Sequence, residues 1–506
     1  MKISPNSGNK KMLGNSIFYA LADLLSKGLH FLLLPIYTFY LSPTDYGIQN
    51  IITGFNSVVS YIILLCLDSA LIKFYSDFKE EKKTMKRVYG TSISIVFISS
   101  LATLCVCVYY RNILCKTVFN GISFVPYILL GIMILVLDSF YTLHRRMLEA
   151  QQKGRKVAII SILTVVCSSL ITIIMIGVLK KGVVGLLFAT ALTSAGTVVF
   201  MIVDMINNDM IEICFDLKLA KKMLSYSLPL IPHQISGYLA TFIAKVFLNI
   251  SNDLSVVGLY GIATQISSVV DVFQDAFSRA YRPWLFERLK KPADLNKFEI
   301  SNMSSILLSF YSVVFILIGL FAQEIIFIMT SPKYYLAWKV IPILIVAISL
   351  RSIYYFYIAQ CMYYEETAKK IFLASVTANL CNIIVTAIAV PYLGMYGSAI
   401  ASLVSIIVNT LIIFKINKRN ISIGYKLSTF CKILIFSWGI LILGVFPSYV
   451  IFKNEIVFAN VMYKIIIATI YSCCIWIITK KYVHYFTGTN NMKELIFLLK
   501  KGDKSV

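Results

Sequence analysis

The stretch Leu224-Ser225-Tyr226-Ser227-Leu228-Pro229-Leu230-Ile231-Pro232 opens the segment that decides the fold of this chain. It leads into two long apolar runs, which extend to Trp284 and are interrupted only by Ser251-Asn252-Asp253. Each run is long enough to cross a bilayer, because a membrane-spanning helix needs about 20 apolar residues. Both runs also carry charged side chains, which are costly inside a membrane and therefore mark candidate functional positions.

The composition of the whole chain is that of a membrane protein with many spans. Of its 506 residues, 58% are hydrophobic and only 14% are charged. The net charge of +23 lies mostly in short loops between apolar runs, so nucleic acid is not an expected partner. There is no GxxxxGK[ST] phosphate loop, which excludes ATP hydrolysis of that kind, and no catalytic or metal-binding pattern stands out.

Fourteen apolar runs predict fourteen membrane-spanning helices. The predicted spans are 14–40, 47–73, 89–110, 122–143, 157–179, 183–206, 226–250, 255–281, 301–323, 335–362, 371–392, 395–416, 429–452 and 458–480. With the N-terminus in the cytoplasm, the inward segments hold 32 lysines and arginines and the outward loops hold 6. Because basic loops stay in the cytoplasm, this distribution predicts that both termini are cytoplasmic. The first run is too long for the core of a signal peptide, so we expect a retained helix.

An internal repeat divides the chain. Matching positions recur at nearly one offset: Gly47 and Gly258 (211 residues apart), Gly185 and Gly397 (212), and Arg155-Lys156 and Lys369-Lys370 (214). Spans 1–6 and 7–12 are therefore predicted to be two copies, with spans 13 and 14 appended. Six spans per copy is an even number, so both copies face the same way, as in parallel-repeat transporters. The repeated glycines also suit close helix packing.

This repeat predicts the domain organisation. The predicted parts are an N-lobe (1–206), a cytoplasmic amphipathic linker (207–225), a C-lobe (226–416), a segment with spans 13 and 14 (417–480), and a cytoplasmic tail (481–506). The linker helix and the tail piece 492–501 are expected to lie on the anionic inner leaflet.

Four features recur in the order and spacing of a known family. They are Leu34-Pro35-Ile36-Tyr37 ahead of Asp45-Tyr46-Gly47, the lead-in from Leu224 to Pro232, Gly258-Leu259-Tyr260, and the paired GxxGxxxA motifs that open spans 6 and 12. Together with the fourteen spans, they resemble the polysaccharide-transporter branch of the multidrug/oligosaccharidyl-lipid/polysaccharide (MOP) flippase superfamily, near the Wzx-type O-antigen flippases. The resemblance covers nearly the whole chain.

The resemblance implies an all-α membrane protein of two six-helix lobes plus two C-terminal helices. It implies a non-enzymatic flippase that turns an undecaprenyl-pyrophosphate-linked oligosaccharide from the cytoplasmic to the periplasmic face of a bacterial inner membrane. Expected partners are this substrate and membrane lipids, with polysaccharide polymerase and chain-length proteins as further candidates. The resemblance does not fix the glycan, which would be an O-antigen, capsule or related repeat unit.

Basic side chains inside the predicted spans are the candidate binding groups for the pyrophosphate. These candidates are Lys27, Lys245, Arg279, Arg282 and Arg351. Lysine and arginine can neutralise phosphate charge, and arginine can hold two phosphate oxygens at once. An alternative is internal ion pairing, since Asp23 precedes Lys27, and Asp275 precedes Arg279, by four residues. Neither Lys245 nor Arg351 has an acid within one turn of its own helix.

Acidic side chains inside the predicted spans are candidates for cavity or coupling groups. They are Asp68, Asp138, Asp271 and Asp275. Transport needs energy, and with no phosphate loop the expected source is a gradient of H⁺ or Na⁺. A carboxylate in a membrane can carry the proton. No other cofactor is expected.

Three other functions stay open at this point. The first is a cation-coupled small-molecule exporter of the same superfamily, which the basic seam and the two extra spans disfavour. The second is a membrane-embedded glycosyltransferase or polymerase, which usually needs paired acids or a large outer loop. The third is a scaffold for polysaccharide assembly that transports nothing.

Overall fold

The structure is a computed structural model in which the chain is almost entirely helical. It describes residues 25, 28–29, 31–212, 214–290, 293–417, 425–452 and 455–487, with side chains omitted for 293–296 and 481–487. No β-strand occurs among these residues. Twelve of the described helices are long and apolar enough to cross a membrane. The protein is therefore an all-α, multi-pass membrane protein.

The chain divides into an N-terminal unit, Met1–Gly261, and a C-terminal unit, Ile262–Val506. Helices of the N-terminal unit are α1 (Leu34–Tyr40), α2 (Pro43–Leu64), α3 (Leu67–Phe78), α4 (Lys82–Tyr109), α5 (Arg111–Thr117), α6 (Leu129–Ala150), α7 (Gly154–Ile173), α8 (Gly182–Asn207), α9 (Leu217–Ser227), α10 (Ile231–Ser251) and the first residues of α11 (Leu254–Leu289). One-turn π-helical segments, Phe124–Ile128 and Ile174–Val178, adjoin α6 and α7.

The C-terminal unit holds the rest of α11. It continues with α12 (Ala293–Leu320), α13 (Ala322–Met329), α14 (Ile341–Tyr363), α15 (Glu365–Ala368), α16 (Ile371–Leu393), α17 (Met395–Asn417), α18 (Leu427–Val450) and α19 (Phe458–Thr487). A 3₁₀ segment, Pro332–Val340, precedes α14. This division into two units does not test the predicted lobe boundaries, which stay a prediction.

Twelve of the fourteen predicted spans correspond to the twelve apolar helices. The predicted span 14–40 lies largely outside the described residues. The predicted span 226–250 becomes α10, preceded by the separate helix α9, whose N-terminus is capped by Asp216. Helix α10 is not among the twelve, because its polar side chains lower its mean hydropathy.

The predicted span 47–73 is broken in the structure. Helix α2 ends at Leu64, and the chain continues as α3 only after Leu65 and Cys66. Both residues have left-handed backbones, with φ of 50° and 54°. Non-glycine residues rarely adopt this conformation, so neither Leu65 nor Cys66 signals the break in the sequence.

Side-chain caps fix where two of the long helices begin. Ser42 and Asp45 form a capping box at the start of α2, in which each side chain accepts a hydrogen bond from the other residue's backbone N–H. At the start of α11, the Asp253 carboxylate accepts hydrogen bonds from the N–H groups of Ser255 and Val256. Hydrogen bonding from the Ser255 side chain, together with these bonds, holds the pKa of Asp253 below its ordinary value.

The glycines that open the paired motifs have nearly the same positive φ angle in both copies. Gly182 and Gly394, which open the paired motifs, have φ of +53° and +55°. Only glycine adopts this region without strain, which explains why the motif recurs at matching places.

The other repeated pair, Gly47 and Gly258, brings two helices into contact. A Cβ atom on Gly47 would lie 1.9 Å from the carbonyl oxygen of Leu254, and one on Gly258 would lie 2.0 Å from that of Pro43. Helices α2 and α11 therefore touch backbone to backbone at their first turns, inside the N-terminal unit. No side chain larger than hydrogen fits between them in this arrangement.

Candidate functional site

Four of the predicted site residues lie in two polar clusters, one in each unit. The Lys245 cluster consists of Lys245, Asn50, Asn249 and Asn120 in the N-terminal unit. The Arg351 cluster consists of Arg351, Asp271, Asp275, Tyr355 and Gln274 in the C-terminal unit. Lys27 lies outside the described residues.

Lys245 is a cation held by neutral groups. Its Nζ lies 3.2 Å from the main-chain oxygen of Asn50 and 3.3 Å from the Asn50 Oδ1 atom, and it donates to both. No carboxylate among the described residues lies within ion-pair distance of it. The positive charge of Lys245 is therefore satisfied by hydrogen bonds but not neutralised.

Small residues make room for this arrangement. A Cβ on Gly54 would lie 3.0 Å from the Phe242 ring and 3.5 Å from Cδ of Lys245. A Cβ on Gly261 would lie 2.4 Å from the Asn50 amide nitrogen. The polar contact between α2 and α10 thus depends on glycines of α2 and α11.

One face of α10 contacts the rest of the N-terminal unit at three positions along the helix. Asn249 donates a hydrogen bond of 2.9 Å to the main-chain oxygen of Asn120 in the loop after α5. Lys245 follows one turn away, and Tyr238 packs on Tyr61 with ring centroids 5.4 Å apart. Asn249 and Lys245 are four residues apart, and Lys245 and Tyr238 are seven apart, so all three lie on one side of the helix.

The centre of the Arg351 cluster is an ion pair between two helices. The Nη1 atom of Arg351 on α14 donates to Oδ1 of Asp271 on α11 at 2.8 Å. One turn along α11, Asp275 accepts a 2.8 Å hydrogen bond from the Tyr355 hydroxyl. Two residues predicted for different roles, a phosphate-binding arginine and a coupling acid, are thus bonded to each other.

Gln274 joins the same helices from their buried side. Its Nε2 atom donates to Ser352 Oγ at 2.8 Å and to the Ile348 carbonyl at 3.2 Å, while its Oε1 is buried without a hydrogen-bond partner. These bonds fix the distance between α11 and α14 beside the ion pair. Gln274 was not among the residues predicted from the sequence, although an amide within an apolar run was the available signal.

The other two predicted arginines lie further along α11. Arg279 is exposed, and its Nε donates to the main-chain oxygen of Asp275 at 3.4 Å. The hypothesis of an ion pair between the Asp275 and Arg279 side chains is therefore not realised in this structure. Arg282 is half-buried, and its Nε has no hydrogen-bond partner. Both arginines remain candidates on the predicted cytoplasmic side.

The two remaining predicted acids are not part of either cluster. Asp68 lies just after the break between α2 and α3, where its Oδ2 is 3.6 Å from Nε of Arg146. Asp138 is exposed on α6 and accepts a 2.6 Å hydrogen bond from Ser194 on α8. A role in coupling stays a prediction for both.

Exposure separates the Arg351 pair from the sealed ion pairs of this molecule. The side chains of Arg351 and Asp271 are 35% and 26% exposed. Those of Lys464 and Glu324 are 1% and 12% exposed, although their Nζ–Oε1 distance of 2.7 Å is similar. A sealed pair is closed to ligands, whereas the Arg351 pair can be reached by another molecule. Because exposed charges avoid lipid, a water-filled cavity is the expected surrounding.

A second sealed network was not predicted from the sequence. His144 Nε2 lies 3.1 Å from Oδ2 of Asp204, and its Nδ1 lies 2.7 Å from the Tyr89 hydroxyl. Lys156 binds the other Asp204 oxygen. His144 and Asp204 are 0% and 4% exposed, so this network ties α4, α6, α7 and α8 together rather than binding substrate. Four distant positions contribute, and no local spacing connects them.

Among the residues that the structure describes, no group of three or more His, Cys, Asp or Glu side chains could hold a metal ion. The two clusters offer cations that can bind anions and, at Arg351 and Asp271, an ion pair that can exchange partners.

Comparison with known proteins adds a family and a fold. The family model described as polysaccharide biosynthesis protein matches residues 12–289. The chain is 22% identical over 286 residues to the Lsg locus putative protein 1 of Haemophilus influenzae, covering 56% of this chain and 67% of that protein.

Two solved structures share the fold. The lipid II flippase MurJ, in an inward closed conformation, matches with a TM-score of 0.69 and 15% identity, covering 91% of this chain and 99% of that chain. An inward-facing multidrug resistance MATE family transporter of the MOP superfamily matches with a TM-score of 0.58 and 18% identity, covering 78% and 94%. At these identities the likeness concerns the fold alone, and it confirms the MOP flippase fold that the resemblance implied.

Proposed function

The chain belongs to the polysaccharide biosynthesis protein family, and from this premise we propose that it is a flippase for a lipid-linked oligosaccharide. The proposed substrate is carried on undecaprenyl pyrophosphate and moves from the cytoplasmic to the periplasmic face of a bacterial inner membrane. Its glycan would be an O-antigen, capsule or related surface-polysaccharide unit. A protein of similar fold is named a lipid II flippase, which supports this substrate class.

The observation that carries the proposal is that cations on membrane helices are open to an anionic ligand. Lys245 has hydrogen-bond partners but no counter-charge. Arg351 has a counter-charge, Asp271, but the pair is only half-buried. A pyrophosphate group supplies about two negative charges and several acceptor oxygens, which ammonium and guanidinium groups bind through charge-assisted hydrogen bonds.

The Arg351 pair offers a way to couple substrate and ion movement. A pyrophosphate that binds the guanidinium competes with the Asp271 carboxylate for it. The displaced carboxylate is then an unpaired charge within the membrane, which favours uptake of a proton or a cation. Asp275, which accepts a hydrogen bond from Tyr355, lies one turn away on the same helix and is the next acidic group along it. In this scheme the gradient supplies H⁺ or Na⁺ from the opposite side.

The energy source and the partners belong to the same proposal. The proposed energy source is the ion gradient and not ATP hydrolysis, since the chain has no phosphate-loop motif. Polymerase and chain-length proteins would receive the unit after it has crossed. In the predicted orientation, with the loop 144–156 in the cytoplasm, the substrate enters from the side where it is synthesised.

The substrate class can be tested with matched lipids in proteoliposomes. We expect the reconstituted protein to flip a fluorescent undecaprenyl-pyrophosphate oligosaccharide roughly tenfold faster than the same oligosaccharide on undecaprenyl monophosphate, because one charge-assisted contact is lost. We also expect one of the two gradients, either of protons or of sodium ions, to increase the flipping rate when it is imposed. The measurement is the fraction of label that becomes accessible to an impermeant quencher.

Protein-free and heat-inactivated vesicles serve as controls for this assay. Equal rates for the two carriers would contradict recognition of the pyrophosphate. Export of small organic cations with no movement of either lipid would favour the exporter hypothesis. No movement of any of the three would favour a scaffold without transport.

A further inference from the structure

A groove on the outside of α7 and α8 is separate from both clusters. Its volume is about 790 Å³, and it lies between the two antiparallel helices of the N-terminal unit. Along α7 the lining extends from Gly154 to Ile171, which are seventeen positions apart, or about 26 Å at roughly 1.5 Å per residue. A bilayer has a hydrocarbon core of about 30 Å, so the groove is deeper than one leaflet.

The walls of the groove are apolar despite several hydroxyl groups. Ile159, Leu163 and Leu192 line it and are 48%, 56% and 49% exposed. The hydroxyls of Thr193 and Thr197 donate to main-chain oxygens of their own helix, so these residues present methyl groups. Apolar exposure of this extent on a spanning helix indicates contact with lipid chains.

One end of the groove is basic. Lys153, Arg155 and Lys156 line it where α7 begins. Lys156 is neutralised by Asp204 and lies 5.4 Å from the centre of the Phe200 ring. Lys153 and Arg155 have no ion-pair partner among the described residues. About two positive charges are therefore left at the end that the distribution of lysine and arginine predicts to be cytoplasmic.

We propose that this groove binds an anionic phospholipid of the cytoplasmic leaflet. Its phosphate would lie between Lys153 and Arg155, and one acyl chain would lie along α7 and α8 toward Ile171. Basic pockets between spanning helices on the cytoplasmic side are suited to anionic headgroups. A zwitterionic lipid matches the apolar walls equally well but leaves the two basic side chains without a net counter-charge. Charge complementarity thus selects the anionic lipid.

Gly196 allows the groove to be filled without disturbing the fold. It lines the groove, and a Cβ atom added to it would meet nothing within 4 Å. Gly196→Leu therefore places a side chain where the acyl chain is proposed to lie. Gly439→Leu is the matched control, because Gly439 also has open space but lies on α18, outside the groove.

The test is native mass spectrometry of the purified full-length protein with phosphatidylglycerol or phosphatidylcholine added at equal concentration. We expect wild type to retain phosphatidylglycerol in preference to phosphatidylcholine. Lys153→Gln/Arg155→Gln is expected to weaken phosphatidylglycerol binding by about tenfold or more, since each basic residue contributes to the attraction of an anionic lipid. Gly196→Leu is expected to lower binding of both lipids.

The controls are Gly439→Leu and Lys82→Gln/Lys83→Gln, which removes two exposed lysines at another predicted cytoplasmic loop. Both are expected to bind lipid as wild type does. Binding of phosphatidylglycerol that is unchanged in the Lys153/Arg155 and Gly196 variants would overturn the proposal. Equal retention of the two lipids by wild type would also overturn it, as would displacement of phosphatidylglycerol by an equimolar polyprenyl phosphate.

Discussion

Replacing Lys464 by methionine is expected to lower the free energy of unfolding by about 3–5 kcal/mol. The Nζ atom of Lys464 on α19 lies 2.7 Å from Oε1 of Glu324 on α13, and the lysine side chain is 1% exposed. Without Lys464, the Glu324 carboxylate is buried and has lost its counter-charge. Burying an unpaired charge is far more costly than losing one exposed ion pair.

A double variant separates the effect of unpaired charge from that of lost volume. In Lys464→Met/Glu324→Leu both charges are absent, so we expect a stability close to that of wild type. Lys480→Met is the control on the same helix, because Lys480 is exposed, and its effect is expected to be within about 0.5 kcal/mol. Apparent melting temperatures in detergent give the comparison. A double variant as unstable as Lys464→Met would show that the charges are not the cause.

Gly258→Ala is expected to destabilise the protein by about 3 kcal/mol, at the upper end of the usual cost of overpacking. The added Cβ would lie 2.0 Å from the Pro43 carbonyl oxygen and 3.1 Å from the Gly47 nitrogen. Both neighbours are backbone atoms, so α2 and α11 must separate to admit it. A flexible side chain could move aside at a lower cost.

Two other helical glycines provide the comparison for Gly258→Ala. A Cβ on Gly196 or Gly439 would meet no atom within 4 Å. Gly196→Ala and Gly439→Ala are expected to be neutral or to stabilise by up to about 1 kcal/mol, since alanine favours helix. Melting temperatures measured in one detergent would test this ranking. A Gly258→Ala variant as stable as these two would contradict the backbone contact between α2 and α11.

The fold could be predicted from the sequence because hydrophobic runs and loop charge are local signals. Twelve predicted spans correspond to apolar helices of the structure. The break at Leu65 and Cys66 could not be predicted, because neither residue favours the left-handed backbone that it adopts. The repeat marked Gly47 and Gly258 as equivalent positions. It could not show that they touch, since equivalence in two copies says nothing about contact.

The site was predicted only in part, because contacts between distant helices leave no local pattern in the sequence. Lys245 and Arg351 could be identified as candidates, because a charge inside an apolar run is a local signal. The partner of Arg351 is Asp271, which is 80 positions away on another helix, and the partner of Lys245 is Asn50, 195 positions away. Asp271 and Arg351 were both predicted from the sequence, but as separate candidates. Only the structure brings them together.

The most direct test of the account measures flipping by variants of the two clusters in proteoliposomes. Lys245→Gln and Arg351→Gln/Asp271→Asn are the informative changes, and the double change keeps the site neutral so that folding is preserved. Each is expected to lower the initial rate by about tenfold or more, as the loss of a charge-assisted hydrogen bond predicts. Lys432→Gln, which removes an exposed cation on α18 outside the clusters, is expected to leave the rate unchanged.

Rates for Lys245→Gln and the double variant that remain within about twofold of wild type, a difference of only about 0.4 kcal/mol, would contradict the central claim. The cations in the membrane would then serve the fold and not the substrate. If the cations bind the substrate, both variants lose rate while their melting temperatures stay like that of wild type and Lys432→Gln stays fully active.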